Sequence, residues 1–282
     1  LPNGASDAAL PNSYERTTST CLVQYERVHF QVTDRLDKVK SPPSKRGKGD
    51  ALAEEISLDI FPPIKDSQLP VDAPVILFCP GLRCHSHDLP GTTVVRRAFA
   101  AGYRSVVVNR RGHTRKYPLL KYPRWSLFGD IDDMEQVYWF VHEELLPGAP
   151  LFLHGLSSGS AIVVTGLGVW DARRSRGEEA PRFVAGVAVS PGYDLTTCLG
   201  RFEWPYEPLL LANVKSHFVS CNEAVLRGPI DTHQLASEPK RTSVLNGKLN
   251  VEEDELAARN RAVDAALAAT TLQGFLEASA PF

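Results

Sequence analysis

The sequence lacks any continuous run of about 18 apolar residues, so no segment is predicted to cross a lipid bilayer. It shows no secretory signal peptide. Charges of opposite sign nearly cancel, with 31 Lys and Arg against 33 Asp and Glu and a formal net charge of −2. This balance gives no reason to expect nucleic acid or an anionic membrane as the main partner.

Cysteine is scarce, with five scattered residues and no Cys-x-x-Cys pair. This pattern argues against both a disulfide framework and a zinc site. Residues 84–88 (Cys-His-Ser-His-Asp) look like a ligand cluster, but alternate loop residues rarely converge on a metal without a second contributing segment. We therefore expect no metal and no cofactor. Reduced thiols favour a cytoplasmic or membrane-associated intracellular location over secretion.

The chain begins at Leu1 and not at methionine. We therefore expect a segment upstream of it. Membrane association through that segment stays open, as does the oligomeric state.

Composition divides the chain into three parts. Residues 1–22 are rich in Ser, Thr, Asn and Pro and predict a loose N-terminal arm. Residues 23–199 predict the core, in which 34–54 is expected to be a mobile loop because Lys, Arg, Pro and Gly dominate it. A basic binding patch is the alternative for that loop. Residues 200–282 contain no convincing buried strand and predict an incomplete helical cap or lid.

Hydrophobic patterning within the core predicts strands that alternate with helices. Alternating residues predict antiparallel strands at 29–33 and 55–61. Continuous apolar runs predict buried parallel strands at 73–79, 104–109, 151–154 and 182–190. Helical spacing predicts helices at 93–101, 130–146 and 251–276. This order indicates an α/β protein with a mainly parallel sheet and right-handed crossovers.

Residues 150–170 are the stretch around which the chain is organised. A short apolar strand leads through Gly155-Leu156-Ser157-Ser158-Gly159 into an apolar helix. In a G-x-S-x-G nucleophile elbow the serine occupies a strained turn, and small flanking residues let strand and helix approach closely. An ordinary Gly/Ser turn is the alternative, but the strand–turn–helix setting favours the elbow. We therefore predict that Ser157 is the catalytic nucleophile.

A serine nucleophile needs backbone donors for the oxyanion and a base for its proton. We predict the N–H groups of Ser158 and Leu82 as the oxyanion hole, with an ordinary loop role as the alternative for Leu82. The chain order of such triads is Ser, acid, His. Only His217 and His233 follow Ser157, and neither follows a buried strand, so each is a weak candidate for the base.

Other polar residues have a structural explanation beside the functional one. Asp194 lies just past a predicted strand and is a candidate acid or pocket residue, with capping of a local turn as the alternative. Residues 110–113 (Arg-Arg-Gly-His) also follow a strand, and structural salt bridges are favoured there over substrate binding. Asp130, Asp132 and Asp133 open a helix, where the dipole favours negative charge.

Three motifs in order resemble one branch of the α/β-hydrolases. They are Pro80-Gly81-Leu82 with Ser86 (similar to an oxyanion loop P-G-L-T-G-x-S), Asn109-Arg110-Arg111-Gly112 (similar to N-x-R-G) and the elbow Gly155 to Gly159. The branch includes embryogenesis-associated plant proteins and yeast medium-chain fatty-acid ethyl-ester synthase/esterases. The resemblance covers roughly residues 25–200. Arg83 and Cys84 depart from it, as do Ser158 and Ser160 beside the nucleophile.

The resemblance implies an α/β-hydrolase fold, a mostly parallel sheet flanked by helices with a helical cap. It also implies a serine esterase or lipase that acts on medium- or long-chain acyl esters through an acyl-enzyme on Ser157, with transfer to an alcohol as a side activity. An acyl ester or lipid would then be the substrate partner.

Relatives in this branch carry the triad Asp and His at their last two strands, and no segment here matches those. We therefore expect the last core strands to be missing, the Asp and His to lie beyond Phe282, and this chain alone to be inactive. The alternative is a vestigial scaffold that binds a lipid or protein partner. A related reaction such as thioester hydrolysis also stays open.

Overall fold

The computed structural model describes residues 13–15, 23–33, 53–65, 69–113, 119–121, 123–125, 127–199, 201, 204–228, 248–280 and 282. The chain divides into two compact units. The core unit comprises Leu1–Arg46, Glu55–Lys116 and Ser126–Gly192, and the second unit comprises Gly47–Glu54, Tyr117–Trp125 and Tyr193–Phe282. Most of the predicted arm and loop lies outside the described residues. The prediction is wrong at residues 13–15 of the arm and at the last two residues of the loop, because both belong to strands.

Seven strands form one mixed sheet. They are β1 (Ser13–Glu15), β2 (Tyr25–Thr33), β3 (Ala53–Phe61), β4 (Val75–Cys79), β5 (Arg104–Asn109), β6 (Leu151–Leu156) and β7 (Gly186–Val189). The strand order is β1-β2-β3-β5-β4-β6-β7. Strand β4 runs parallel to β5 and β6, and β6 runs parallel to β7, whereas β3 is antiparallel to β5. The predicted mostly parallel sheet with leading antiparallel strands is confirmed.

Helices connect the parallel strands of the core unit. They are α1 (Leu89–Ala100) after β4, α2 (Ile131–Phe140) after β5 and α3 (Ser160–Ser175) after β6. The Asp130 carboxylate accepts a hydrogen bond from the Asp132 N–H at 2.9 Å and so caps α2. A single π-helical turn, Val141–Leu145, continues α2. Together they occupy the helix predicted at 130–146.

The two faces of the sheet carry separate apolar clusters. On one face Leu77, Val106 and Leu153 pack with side chains of α2 and α3, and all three are nearly fully buried. On the other face Phe78 and Val107 pack with α1. Burial of each such side chain contributes about 1.5–3 kcal/mol. These clusters hold the ends of the strands at fixed positions along one sheet edge.

Strand β7 departs from the sequence prediction. The run 182–190 predicts a strand buried on both faces, and this is wrong: the strand is shorter, and Val187 and Val189 are 53% and 38% exposed. The strand is the last in the sheet order, and among the described strands it pairs with β6 alone. An apolar run therefore identified the strand but not the number of neighbours that cover it.

The described secondary structure of the second unit is helical apart from Ala53 and Glu54, which belong to β3. Its helices are α4 (Leu195–Leu199), α5 (Tyr206–Val214), α6 (Glu223–Arg227), α7 (Lys248–Ala268) and α8 (Leu272–Ala278). The single helix predicted at 251–276 is wrong, because the Thr271 hydroxyl accepts from the Gly274 N–H at 3.1 Å and starts a new helix. Among the described helices, none is both long enough and apolar enough to cross a membrane.

Candidate functional site

Ser157 lies at a sharp turn between strand and helix. Strand β6 ends at Leu156, one 3-10 turn spans Ser157–Gly159, and α3 starts at the next residue. The backbone φ of Ser157 is +53°, in the left-handed region that residues other than glycine seldom occupy. Its side chain is exposed. A strained serine with an accessible hydroxyl at a strand–helix turn is the geometry that a nucleophile elbow requires.

The two glycines of the elbow lie where the backbone is most crowded. A Cβ on Gly155 would collide with the backbone of Gly159 and Ser160. A Cβ on Gly159 would collide with the carbonyl groups of Cys79 and Pro80 at the end of β4. The Ser160 hydroxyl donates to the Ser157 carbonyl and ties the turn to the helix. The spacing of the motif therefore follows from a close approach of three backbone segments.

The loop that follows β4 passes beside Ser157. Strands β4 and β6 are parallel and pair Cys79 with Gly155, so both strands end at the same edge of the sheet. A Cβ on Gly81 would lie 3.4 Å from the Cβ of Ser157. Leu82 is the next residue of that loop. The oxyanion roles of the Leu82 and Ser158 N–H groups stay predictions.

Arg110 follows β5, and its side chain contacts both the loop after β4 and the turn that contains Ser157. Its Nη2 donates to the carbonyls of Pro80 and Gly81 at 3.1 and 3.3 Å and to the Ser158 hydroxyl at 3.0 Å. Its Nη1 donates to the Leu127 carbonyl at 3.3 Å. The side chain is buried, and burial lowers the pKa of the guanidinium to about 10, so it remains charged at neutral pH. Among the described residues, no carboxylate lies within ion-pair distance of it.

A neutral histidine completes the surroundings of Arg110. His113 is fully buried, with Nε2 3.1 Å from Arg110 Nη2 and Nδ1 2.9 Å from the Arg111 carbonyl oxygen. This arrangement fits a ring that donates through Nδ1 and accepts from the guanidinium through Nε2. His113 therefore serves as another neutral acceptor and does not cancel the charge of Arg110.

Arg111 has a different partner. Its Nε and Nη2 donate to the two carboxylate oxygens of Asp133 at 2.6 and 2.8 Å, which forms a bidentate ion pair. This pair ties the end of β5 to the first turn of α2. The structural salt bridge predicted for residues 110–113 is confirmed at Arg111 and absent at Arg110 within the described chain.

A buried polar network anchors the loop after β4 near its end, shortly before α1. Asp59 on β3 accepts two hydrogen bonds from Arg27 at 2.7 and 2.9 Å and one from the Asn109 amide at 2.9 Å. The Ser86 hydroxyl also donates to Asp59, and the Ser86 N–H donates to Asn109 Oδ1 at 2.9 Å. The sequence analysis did not predict this network, although Ser86 and Asn109 both belong to the motifs that carry the family resemblance.

The charge state of Asp59 follows from these bonds. Burial alone raises the pKa of this carboxyl, but the hydrogen bonds and positive charge of Arg27 outweigh burial and hold the pKa below its usual value of 3.8. Asp59 is therefore an ionised anchor that fixes the loop after β4 against β3 and β5.

The histidines of the 84–88 cluster have structural contacts. His85 Nδ1 lies 3.6 Å from an Asp88 carboxylate oxygen, and His87 Nε2 lies 3.3 Å from Arg27 Nη2. Within the part of the chain that the structure describes, no group of three or more His, Cys, Asp or Glu is arranged to hold a metal ion.

The candidate acid and base residues lie in different settings. Asp194 accepts from the N–H and hydroxyl of Thr197 at 2.9 and 2.6 Å, which is the capping role given as its alternative. His217, in the second unit, packs against Phe218 with 4.8 Å between ring centroids. His233 lies outside the described residues. Within the core unit, no described side chain is hydrogen-bonded to the Ser157 hydroxyl.

Comparison with curated proteins finds relatives of part of the chain. Phospholipase ABHD3 of Mus musculus is 33% identical over 159 residues, which cover 55% of this chain and 36% of that protein. Protein ABHD15 of Homo sapiens is 32% identical over 143 residues, which cover 49% and 27%. Monoacylglycerol lipase ABHD2 of Danio rerio is 26% identical over 204 residues, which cover 70% and 45%. The chain thus spans less than half the length of each of these relatives.

Other comparisons are weaker. No family model matches the chain. Among solved structures, Pyrococcus furiosus esterase Pf2001 is 14% identical with a TM-score of 0.43, covering 71% of this chain and 68% of that one. A putative carboxylesterase from Lactobacillus plantarum is 18% identical with a TM-score of 0.37, covering 71% and 70%.

The fold assignment follows from the chain's own topology. Parallel strands in the order β5-β4-β6-β7 are joined by helices, an antiparallel strand pairs with β5, and a strained serine turn leads from β6 into α3. These features give this chain the α/β-hydrolase fold.

Proposed function

We propose that this chain carries the nucleophile and the oxyanion hole of a serine hydrolase that cleaves acyl esters. The observation that supports this most directly is the left-handed backbone of Ser157 at the end of β6, with the loop of Gly81 and Leu82 beside it. Strain at a non-glycine residue is seldom retained where it has no use. The elbow therefore supports Ser157 as the reacting group.

The proposed reaction has two steps. The Ser157 Oγ bonds to the ester carbonyl carbon while its proton passes to a base, and the negative charge on the former carbonyl oxygen is met by the N–H groups of Leu82 and Ser158. The C–O bond to the alcohol then breaks, the alcohol leaves with that proton, and an acyl-enzyme remains. Water or a second alcohol attacks the acyl-enzyme, which gives either hydrolysis or ester synthesis.

The proposed reaction also requires a base and an acid that orients it. A serine hydroxyl is a poor nucleophile until a base accepts its proton. Because no described side chain of the core unit is hydrogen-bonded to the Ser157 hydroxyl, the proposal assigns the base to a residue outside that set.

The substrate class is proposed from the relatives. Two of the similar proteins are named a phospholipase and a monoacylglycerol lipase, and both names describe cleavage of esters of glycerol lipids. We propose medium- or long-chain acyl esters as substrates. The finer placement, in the branch of embryogenesis-associated plant proteins and yeast ester synthase/esterases, is part of the same proposal.

One observation favours a second candidate function. The lack of a described hydrogen-bond partner for the Ser157 hydroxyl in the core unit is also what a vestigial scaffold would show, one that keeps the elbow and binds a lipid or protein without chemistry. The two functions differ in whether Ser157 can be acylated.

The test is covalent labelling of the full-length protein that contains this chain. A fluorophosphonate probe phosphonylates an activated serine hydroxyl with loss of fluoride. We expect the wild-type protein to be labelled on the peptide that contains Ser157, and Ser157→Ala to abolish labelling and ester hydrolysis. Loss of a triad member typically costs about 10⁴–10⁶-fold in turnover.

Ser175→Ala is the matched control, since its hydroxyl lies at the other end of α3 and donates to the Asp171 carbonyl. This variant is expected to label like wild type. A folded wild-type protein that resists the probe would overturn the hydrolase proposal and favour the scaffold.

A further inference from the structure

Arg110 is the residue that contacts both halves of the proposed oxyanion hole. The two predicted donors, Leu82 and Ser158, belong to segments far apart in the sequence. One guanidinium nitrogen of Arg110, Nη2, binds the carbonyls of Pro80 and Gly81 in the first segment and the Ser158 hydroxyl in the second. A single buried group thus fixes the distance between the two segments.

We propose that Arg110 is a positioning residue that sets the two oxyanion N–H groups at their working separation and places its own uncompensated positive charge beneath them. This inference rests on the proposed function, because it assigns a role within that reaction. A fixed donor pair needs no reorganisation when negative charge develops on the substrate oxygen. A nearby buried cation also stabilises that negative charge, by Coulomb attraction.

The neutral surroundings of Arg110 distinguish it from Arg111, which faces a carboxylate. An unpaired buried charge is costly, and ion pairing is one way to offset that cost. All described partners of Arg110 are neutral: backbone carbonyls, a serine hydroxyl and an imidazole. In the proposal, the buried charge lies where the reaction creates an anion, and it stabilises that anion during the reaction.

The strand that precedes Arg110 offers a matched control. Arg104, at the opposite end of β5, is also buried, and its Nη1 donates to the carbonyls of Pro70 and Val71 at 3.3 and 3.4 Å. Arg104→Lys and Arg110→Lys therefore make the same chemical change at the two ends of one strand. Each keeps the positive charge and removes the planar group that holds several acceptors at once.

The first measurement is hydrogen exchange, which requires no catalytic activity. The Cys84 N–H donates to the Gly81 carbonyl, and the Ser160 N–H donates to the Ser157 carbonyl, so these two amides report on the two segments. Arg110→Lys is expected to accelerate exchange at both. Arg104→Lys is expected to accelerate exchange only near Ala73, whose N–H shares the Pro70 carbonyl.

The second measurement is the rate constant of fluorophosphonate labelling at Ser157. A displacement of about 1 Å in a catalytic group can cost about 100-fold in rate, and we expect a loss of that order in Arg110→Lys. Arg104→Lys is expected to label at the wild-type rate. With an ester substrate the loss should fall on kcat more than on KM, because the oxyanion develops as Ser157 attacks and is absent from the bound ester.

The outcomes separate this inference from the proposed function. Wild-type exchange at Cys84 and Ser160 in Arg110→Lys, or faster exchange with an unchanged labelling rate, would overturn the inference and leave Ser157 as nucleophile. Failure of the wild-type protein to label would overturn the proposed function, and with it the catalytic part of the inference. If Arg110→Lys does not fold, Ser158→Ala removes only the elbow-side acceptor and is expected to show the same changes with smaller amplitude.

Discussion

Arg110 and Arg111 are adjacent in sequence, both follow β5, and both are buried, yet they have opposite kinds of partner. Arg111 forms a bidentate ion pair with Asp133 in α2. Arg110 turns toward the elbow and binds only neutral groups among the described residues. The first arginine is explained by the stability of the sheet and its helix. In the proposal, the second holds two loops and keeps a positive charge near Ser157.

The contrast shows how a buried charge can be interpreted. When two buried side chains form an ion pair, their pairing explains why both charges are buried, although the net contribution of the pair to stability is often small. A buried charge with only neutral partners lowers the stability of the folded state, because no opposite charge offsets its desolvation. Such a residue beside a strained serine is therefore a better pointer to function than its paired neighbour.

The largest expected effect comes from Asp59, which gives a second paired arginine for comparison. Asp59→Asn leaves Arg27 buried without its carboxylate and weakens the bonds to Ser86 and Asn109. We expect a loss of about 3–5 kcal/mol in the free energy of unfolding. Urea denaturation at pH 7 measures it, and a loss below 1 kcal/mol, roughly that of an exposed pair, would contradict the network.

The same residue predicts a pH dependence. The pKa of Asp59 is depressed in the folded protein, so its contribution to stability is present above the ordinary value of 3.8 and is lost as pH falls through the folded pKa. The difference in unfolding free energy between wild type and Asp59→Asn should therefore be constant above about pH 5 and shrink below about pH 4. A difference independent of pH down to about pH 2 would show that folding does not lower the pKa of Asp59.

A smaller loss is expected at the paired arginine itself. Asp133→Asn removes the charge that compensates Arg111 and so makes Arg111 resemble Arg110. Because the Asp133 side chain is 12% exposed, water can solvate part of the remaining charge, and we expect about 3 kcal/mol. The labelling rate of Ser157 in the folded variant should stay within about twofold of wild type. A large fall in that rate would mean that both arginines serve the site and would remove the contrast.

The smallest expected effect is at Ser158. Ser158→Ala deletes one neutral acceptor of Arg110 but keeps the backbone N–H, so the cost in stability should be about 1 kcal/mol. The labelling rate should fall less than in Arg110→Lys. Thermal unfolding and probe kinetics on the same sample measure both, and a fall larger than in Arg110→Lys would place the main contribution on the hydroxyl.

Much of the core could be predicted from the sequence because its strands are local apolar runs. Strand β5 was predicted at 104–109 and is found at Arg104–Asn109, since a polar turn bounds an unbroken buried run on each side. The elbow was predictable because crowding admits only glycine two residues before and after Ser157. The strand can be recognised from its local sequence, and so can the glycine spacing of the elbow, although part of the crowding at Gly159 comes from Cys79 and Pro80 at the end of β4.

Features that depend on distant neighbours were not predictable. The exposure of β7 depends on what lies beside it, which an apolar run does not encode. The pairing of Arg111 was expected, but the reach of Arg110 to loops after β4 and β6 depends on the strand order. Long side chains choose partners in three dimensions, so adjacent arginines looked alike in the sequence.

The most direct test of the proposed chemistry is to trap the acyl-enzyme. The full-length protein is mixed with a p-nitrophenyl ester of a medium-chain acid, quenched in acid at short times, digested and analysed by mass spectrometry. We predict that the acyl group appears on the peptide containing Ser157 at a rate matching p-nitrophenol release, and that Ser157→Ala shows neither. Ester turnover with no adduct at Ser157, or with an adduct on another residue, would contradict the assignment of Ser157 as the nucleophile.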